Sequence, residues 1–472
     1  MGSVGGAALR VIATVAIASV GVVSLGPRIC AADTLEWALG QAYQNNPQLN
    51  AQRAATRAQD EGVPQALSGY RPRASLTASV ATQNQMLSTR TAAGYSESNS
   101  QFTPHAVGVT VTQTLFNGYQ TANRTRQAEA QVSAGRATLA VTEQTILLNA
   151  ATAYMNLLLN GAILDLQRRN VEVLQEQLRQ TRDRFNVGEV TRTDVAQSES
   201  RLAAGRSQVL TAESNYVSSK AIYRQTIGVE PGKLAAATPV DRLSPRTLIQ
   251  AIATGREFNP NVAAAMFGID TALLQVKINE GALLPTVTAT ASVQQAWEPS
   301  ISQNVAVLQQ FSASLLGQVT VPIYQGGGEY SLIRQAKETL GQQRITLDTQ
   351  RDQVQSLVVQ SWGQLEAAKA QIQSTQAQVN AAEIALNGVR EEARVGQRTT
   401  LDVLNAQQEL VNARVALVTA QHDRVVASYA LLASVGGLYA VGLGLKVPVY
   451  DPMTHYQQVR DAWAGTRNPD GR

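Results

Sequence analysis

The chain has 472 residues, of which 16% are charged and 5% aromatic, and its net charge is only +4. That balance offers no basic surface for nucleic acid. Three histidines (His105, His422, His455) and one cysteine leave almost no material for a metal site or a thiol nucleophile, and no cofactor is expected.

Residues 1–32 have the features of a secretory signal. Arg10 supplies a positive start, VIATVAIASVGVVSL at 11–25 is the apolar run, and Cys30-Ala31-Ala32 places small residues before Asp33. Cleavage there removes the one cysteine. A lipid-modified Cys30 is the competing reading, against which Pro27-Arg28-Ile29 lacks the small residues required. No later segment is expected to be apolar over the ~20 residues that a membrane helix needs.

The rest of the chain repeats itself. A first unit at 33–229 matches a second at 248–438, across a Pro/Gly linker at 230–247, with a tail at 439–472. Asn46-Pro47 aligns with Asn259-Pro260 and Pro72 with Pro285. Gly118, Gly188 and Gly228 align with Gly326, Gly396 and Gly436 at a different offset. The change falls between Pro72 and Gly118, where a loop is expected to absorb it.

Each unit opens with a helical segment, 35–68 or 248–283, interrupted at Asn-Pro. The period then changes from helix to strand. Ala74, Leu76, Ala78 and Val80 alternate with Ser75, Thr77 and Ser79, and Val107, Val109 and Val111 with Gly108, Thr110 and Thr112. In the second unit Val287, Ala289, Ala291 and Val293 alternate with threonine and serine, and Leu315, Gly317, Val319 and Val321 with Leu316, Gln318 and Thr320. The pattern predicts four strands of about ten residues, the length a tilted strand needs to cross a bilayer. A soluble sheet packed on helices would show the same alternation. In a membrane, four strands are too few, since a barrel needs about eight and open edges are not tolerated in hydrocarbon. Copies of the chain would have to complete it, two or three of them.

No proline falls between Pro104 and Pro231 or between Pro322 and Pro448. A helix from Tyr119 to Phe185 would be roughly 100 Å long at about 1.5 Å per residue. Val171, Leu174, Leu178, Thr181 and Phe185 step by three and four. So do Ile372, Thr375, Val379, Ala382, Leu386, Val389 and Ala393. Val195, Leu202, Val209, Tyr216 and Tyr223 form the returning seam, as do Leu401, Leu404, Gln408, Val411, Val415 and Val418. This is coiled-coil spacing. The hairpin tips read RFNVGEVTRTDVAQ at 184–197 and ARVGQRTTLDVLNA at 393–406. A glycine ends one helix in a left-handed turn and Thr-x-x-Asp starts the next. On these residues alone, Asp194 and Asp402 read as N-terminal caps. Gly326-Gly327-Gly328 lacks the Gly-Lys-Ser/Thr of a phosphate loop. The tail, with Pro448, Pro452 and Pro469, is too irregular for the rod and is expected to wrap outside it.

The ordered set resembles the TolC-type outer-membrane efflux protein family over about 34–438. TLFNGYQ at 114–120 and VPIYQGGGEY at 321–330 are similar to its strand-to-helix junctions, and RFNVGEVTRTDV to its first tip. The resemblance implies an α+β membrane protein, a homotrimer whose strands close a twelve-stranded barrel and whose helices form a twelve-helix periplasmic tunnel. It implies contact with outer-membrane lipid. It also implies tip-first docking, through Val187, Gly188, Val395 and Gly396, onto a periplasmic adaptor (membrane fusion) protein and an inner-membrane ABC or RND-type transporter. Gate links would join Thr193 and Asp194 to Arg398, and Asp402 and Asn405 would line the narrowest ring. The family often carries a tyrosine where this chain has Ala393, and a second acid where it has Asn405. One gate link is then missing and cation binding at the ring is weaker. YDPMTHYQQVRDAW in the tail resembles the type I secretion branch. The implied function is a passive exit duct for protein or small toxic compounds, not an enzyme. An exported coiled-coil spacer without a pore is the alternative.

Overall fold

The computed structural model describes residues 33–302 and 305–469. The expected signal, with Cys30, lies outside them. The first half runs α1 (Leu35–Asn45), α2 (Pro47–Asp60), α3 (Gly62–Leu67), β1 (Arg73–Val80), β2 (Gln83–Thr91), β3 (Gly94–Phe102), β4 (His105–Asn117), α4 (Gln120–Asn186) and α5 (Arg192–Ile227). The second runs α6 (Leu248–Phe258), α7 (Pro260–Gly281), β5 (Thr286–Ser302), β6 (Val305–Thr320), α8 (Gly328–Arg394) and α9 (Thr400–Ser434). One short helix, α10 (Pro452–Val459), lies in the tail.

Both halves break their first helix at Asn-Pro for the same reason. Proline in the first turn needs no N–H partner, and the side-chain oxygen of the preceding asparagine caps the new helix. Asn46 Oδ1 accepts from Gln48 N at 2.9 Å, and Asn259 Oδ1 from Asn261 N at 2.9 Å. The amide nitrogens then reach the far end of each half. Asn46 Nδ2 donates to Thr226 O and Asn259 Nδ2 to Ser434 O, both at 2.9 Å. One buried side chain thus ties the entrance of each repeat to its exit.

The largest core sits at this level, where Leu39, Leu147, Tyr154, Leu157, Tyr223, Val358, Tyr429 and Leu438 meet. It also corrects one expectation. Within α4 there is a stretch of 18 residues apolar enough to cross a membrane by composition. Its apolarity serves this core instead: Leu147, Ala150, Ala151 and Tyr154 are all completely buried. Towards the tips the cores shrink to the seams, Leu174, Leu178, Leu202 and Leu404 in one cluster and Val379, Leu386, Leu410 and Ala413 in another. Phe185 and Leu401, placed in the seam by spacing, are exposed because each borders a tip loop.

The strands β1, β4, β5 and β6 form one antiparallel sheet in that order. They depart from the sequence reading in two ways. β4, β5 and β6 have 13, 17 and 16 residues rather than ten. The expected loop between Pro72 and Gly118 is instead a ribbon of β2 and β3. Val80 pairs with His105, Ala81 N donates to Pro104 O, and Gln83 pairs with Phe102, so the ribbon continues the β1–β4 hairpin in unbroken register. Its residues, QNQMLSTRT and GYSESNSQF, are polar on both faces, so no alternation marks them.

Candidate functional site

Residues directly opposite in an antiparallel pair point to the same face. The register therefore assembles rows across all four strands. Ala74, Val111, Ala291 and Leu315 form one, and Leu76, Val109, Val293 and Ala313 the next. The opposite face carries Ser75, Thr110, Ser292 and Ser314, then Thr77, Gly108, Gln294 and Ser312. The apolar face is open: Leu76 is 72% and Leu315 82% exposed. A sheet packed on its own helices would have buried them. β1 and β6 each have one pairing neighbour, leaving a row of backbone donors and acceptors along either edge. The sheet is thus a strip of membrane wall, greasy outside and polar inside, with two edges to be joined.

At the other end the two tips are built alike. Gly188 (φ 80°) and Gly396 (φ 81°) take the left-handed conformation. Glu189 N donates to Arg184 O and Gln397 N to Glu392 O, both at 2.9 Å, closing the glycine caps. The following helices begin in reciprocal caps. Thr191 N donates to Asp194 Oδ2 at 2.9 Å and Asp194 N to Thr191 Oγ1 at 3.4 Å. Thr399 N donates to Asp402 Oδ2 at 3.0 Å and Asp402 N to Thr399 Oγ1 at 3.2 Å. The Thr399 N–H, its hydroxyl, which also donates to Asp402 Oδ2 at 2.9 Å, and Arg398 nearby hold the Asp402 carboxyl below the usual aspartate range. Both aspartates thus start their own helices.

Asp194 and Arg398 line one groove of about 720 Å³ between the hairpins, whereas Thr193 is exposed. The groove's first wall carries Glu172, Glu176, Glu189 and Asp194 with one arginine, Arg184; its second carries Arg390, Arg394 and Arg398. Within one chain Arg398 Nε donates to Glu392 Oε2 of its own tip at 2.8 Å. Val187 and Val395, 72% and 71% exposed, crown the tips beside the two glycines. Asn405 does not stand alone: Arg201 Nη2 on α5 donates to its Oδ1 at 2.7 Å. Arg201 went unnoticed in the sequence, although it flanks the Val195–Leu202 seam, and the register of that seam points it towards α9.

A membrane strip at one end and twin helical tips at the other match a known family. The model of the outer membrane efflux proteins fits residues 38–229 and 252–437, one match to each repeat. The chain belongs to that family. It is 41% identical over 440 residues to the outer membrane efflux protein BepC of Brucella suis, covering 93% of each chain. It is 27% identical to the outer membrane protein TolC of Escherichia coli, over 86% of this chain and 83% of that one. The outer membrane channel CmeC of Campylobacter jejuni shares its fold, with a TM-score of 0.74 at 15% identity over 96% of this chain and 98% of the other. The family places the protein in the outer membrane as an efflux or secretion channel, with its helical barrel in the periplasm. Its members are channels, not enzymes.

Proposed function

We propose that three copies join edge to edge, β6 of one to β1 of the next, to make a closed duct that spans the outer membrane and continues as a helical tunnel. The observation that carries this reading is the pair of open edges on a sheet whose outer face is apolar along its central rows. Hydrocarbon does not tolerate unpaired strand edges, and closure removes them. The tips, with Val187, Gly188, Val395 and Gly396, are the docking surface for a periplasmic adaptor, and through it for an inner-membrane transporter that supplies the energy. The transporter selects the cargo, exported protein or small compounds, because a lumen face of Ser, Thr and Gln encodes little selectivity.

The groove at the tips is the gate in this reading. Its acidic first wall and basic second wall attract, drawing the hairpins together. Each exposed pair is worth about 1 kcal/mol or less, and three copies multiply whatever it contributes. Arg398→Ser weakens the basic wall and removes none of the Thr–Asp bonds of either cap, and raises single-channel conductance in planar bilayers. Asp194→Ala also opens the channel but removes the reciprocal half of the α5 cap, worth about 1 kcal/mol or less. Thr191→Ala, which loses the cap and keeps the charge, separates the two effects. Arg201→Ala breaks the bond to Asn405 and adds to the opening, since it removes a direct tie between α5 and α9. Conductance unchanged in Arg398→Ser and Arg201→Ala would remove the gate from these residues. A pore-less spacer would show no conductance steps at all.

A further inference from the structure

Beyond Leu438 the chain climbs back along its own N-terminal helices. Ala440 N donates to Glu143 Oε1 at 2.8 Å, and Tyr450 N to the Tyr43 hydroxyl at 3.0 Å. The Arg53 guanidinium lies 4.4 Å from the Tyr43 ring and 5.3 Å from the Tyr450 ring. Next, α10 sets His455 Nδ1 3.0 Å from the fully buried Asp60 carboxylate and Tyr456 under Arg136. Tyr43, Arg53 and Asp60 follow one another towards β1, so the tail rises from the core to the foot of the sheet. There Arg71 Nη1 donates to Ala462 O at 2.6 Å, and the same guanidinium lies 4.6 Å over the Trp463 ring.

The tail therefore carries a tryptophan, Trp463, that is pinned and yet 72% exposed. Arg71 stands two residues before Arg73, the first residue of β1. This is the level at which the wall passes from strand to helix. Tyr70 beside Arg71, and Tyr119 and Tyr324 at the junctions after β4 and β6, are also more than half exposed. Tryptophan and tyrosine rings prefer the headgroup layer, where one end is apolar and the other wet. A guanidinium there matches phosphate oxygens in its fork geometry.

We propose that this part of the tail is a lipid-binding element, in which Trp463 sits among the headgroups of the periplasmic leaflet while Arg71, stacked on its ring, takes the phosphate of an anionic phospholipid. The site is continuous with the membrane face of the barrel and independent of the gate. Its occupant follows from charge and depth together: an arginine and an amphipathic ring at the lipid boundary.

The test uses the full protein reconstituted in phosphatidylethanolamine vesicles containing phosphatidylglycerol, brominated near the headgroup or not. The signal is the tryptophan emission lost on Trp463→Phe, with the heat-resistant oligomer on gels as the folding control. This difference emission should be quenched by brominated phosphatidylglycerol and shielded from aqueous iodide. Arg71→Ala should abolish the preference for the anionic lipid over brominated phosphatidylcholine. Equal emission in brominated and plain vesicles, with free quenching by iodide, overturns the proposal. Shielding that arises only when a periplasmic protein is added overturns it too, by assigning the site to a protein.

Discussion

Val109→Arg should abolish the folded oligomer in the outer membrane, whereas Thr110→Arg, one position along the same strand, should be accepted. Val109 lies in the middle of the row with Leu76, Val293 and Ala313 on the apolar face. An arginine at the middle of the lipid face of a barrel costs about 2–4 kcal/mol, and every copy in the oligomer bears that cost. Thr110 stands on the face of Ser75, Ser292 and Ser314, which the reading gives to water. An arginine there has its charge solvated, and its effect should be a shift of ion selectivity towards anions. Heat-modifiable gel mobility and outer-membrane fractionation read the first effect, and reversal potentials in planar bilayers read the second. Swapped outcomes would mean that the two faces have been assigned the wrong way round.

Gly118→Val should be the most damaging single change at the strand–helix junctions, at above about 3 kcal/mol from backbone strain and overlap together. Gly118 has φ +64°, where a β-branched side chain is strained. A Cβ there would overlap the carbonyl oxygen of Gly281 and lie 2.9 Å from Leu284 Cβ, so that α7 and the start of α4 would have to part. The same junction sets the helix start, where Asn117 Nδ2 donates to Thr121 Oγ1 at 2.7 Å. Gly326, its partner in the repeat, supplies an internal control. It too has a positive φ, +76°, but nothing lies within 4 Å of the added carbon. Gly326→Val should bear the backbone strain alone and leave more heat-resistant oligomer. Equal losses at the two positions would show that packing against Gly281 contributes nothing.

Much of this architecture is written locally in the chain. The glycine caps at Gly188 and Gly396, the Thr-x-x-Asp starts and the Asn-Pro breaks each depend on residues within a few positions, and the repeat states each of them twice. Alternation marks β1 and the shared parts of β4, β5 and β6 because one face is apolar and the other polar. It is silent on β2 and β3, where both faces are polar. Alternation is equally silent on register: that Leu76 stands beside Val109, and Val109 beside Val293, needs the pairing itself. The tips show the same boundary. Asp194 and Asp402 are legible as caps, but the bond from Arg201 to Asn405 joins residues 204 positions apart. The path of the tail is likewise hidden, because His455 on Asp60 and Trp463 on Arg71 are contacts across nearly the whole chain and no periodicity announces them.

Closure of the wall by neighbouring copies is tested most directly by cysteine cross-linking in the outer membrane. Single cysteines at Ser75, Leu76 or Thr77 on β1 are combined with single cysteines at Ala313, Ser314 or Leu315 on β6, and the membranes are oxidised. The best-registered combination should give a covalent product that stops at three chains, and that boils to one band only after reduction. Persistence of a single-chain band in every combination, with the protein folded and in the outer membrane, would mean that β1 and β6 do not meet in neighbouring copies and that the duct does not close in this way.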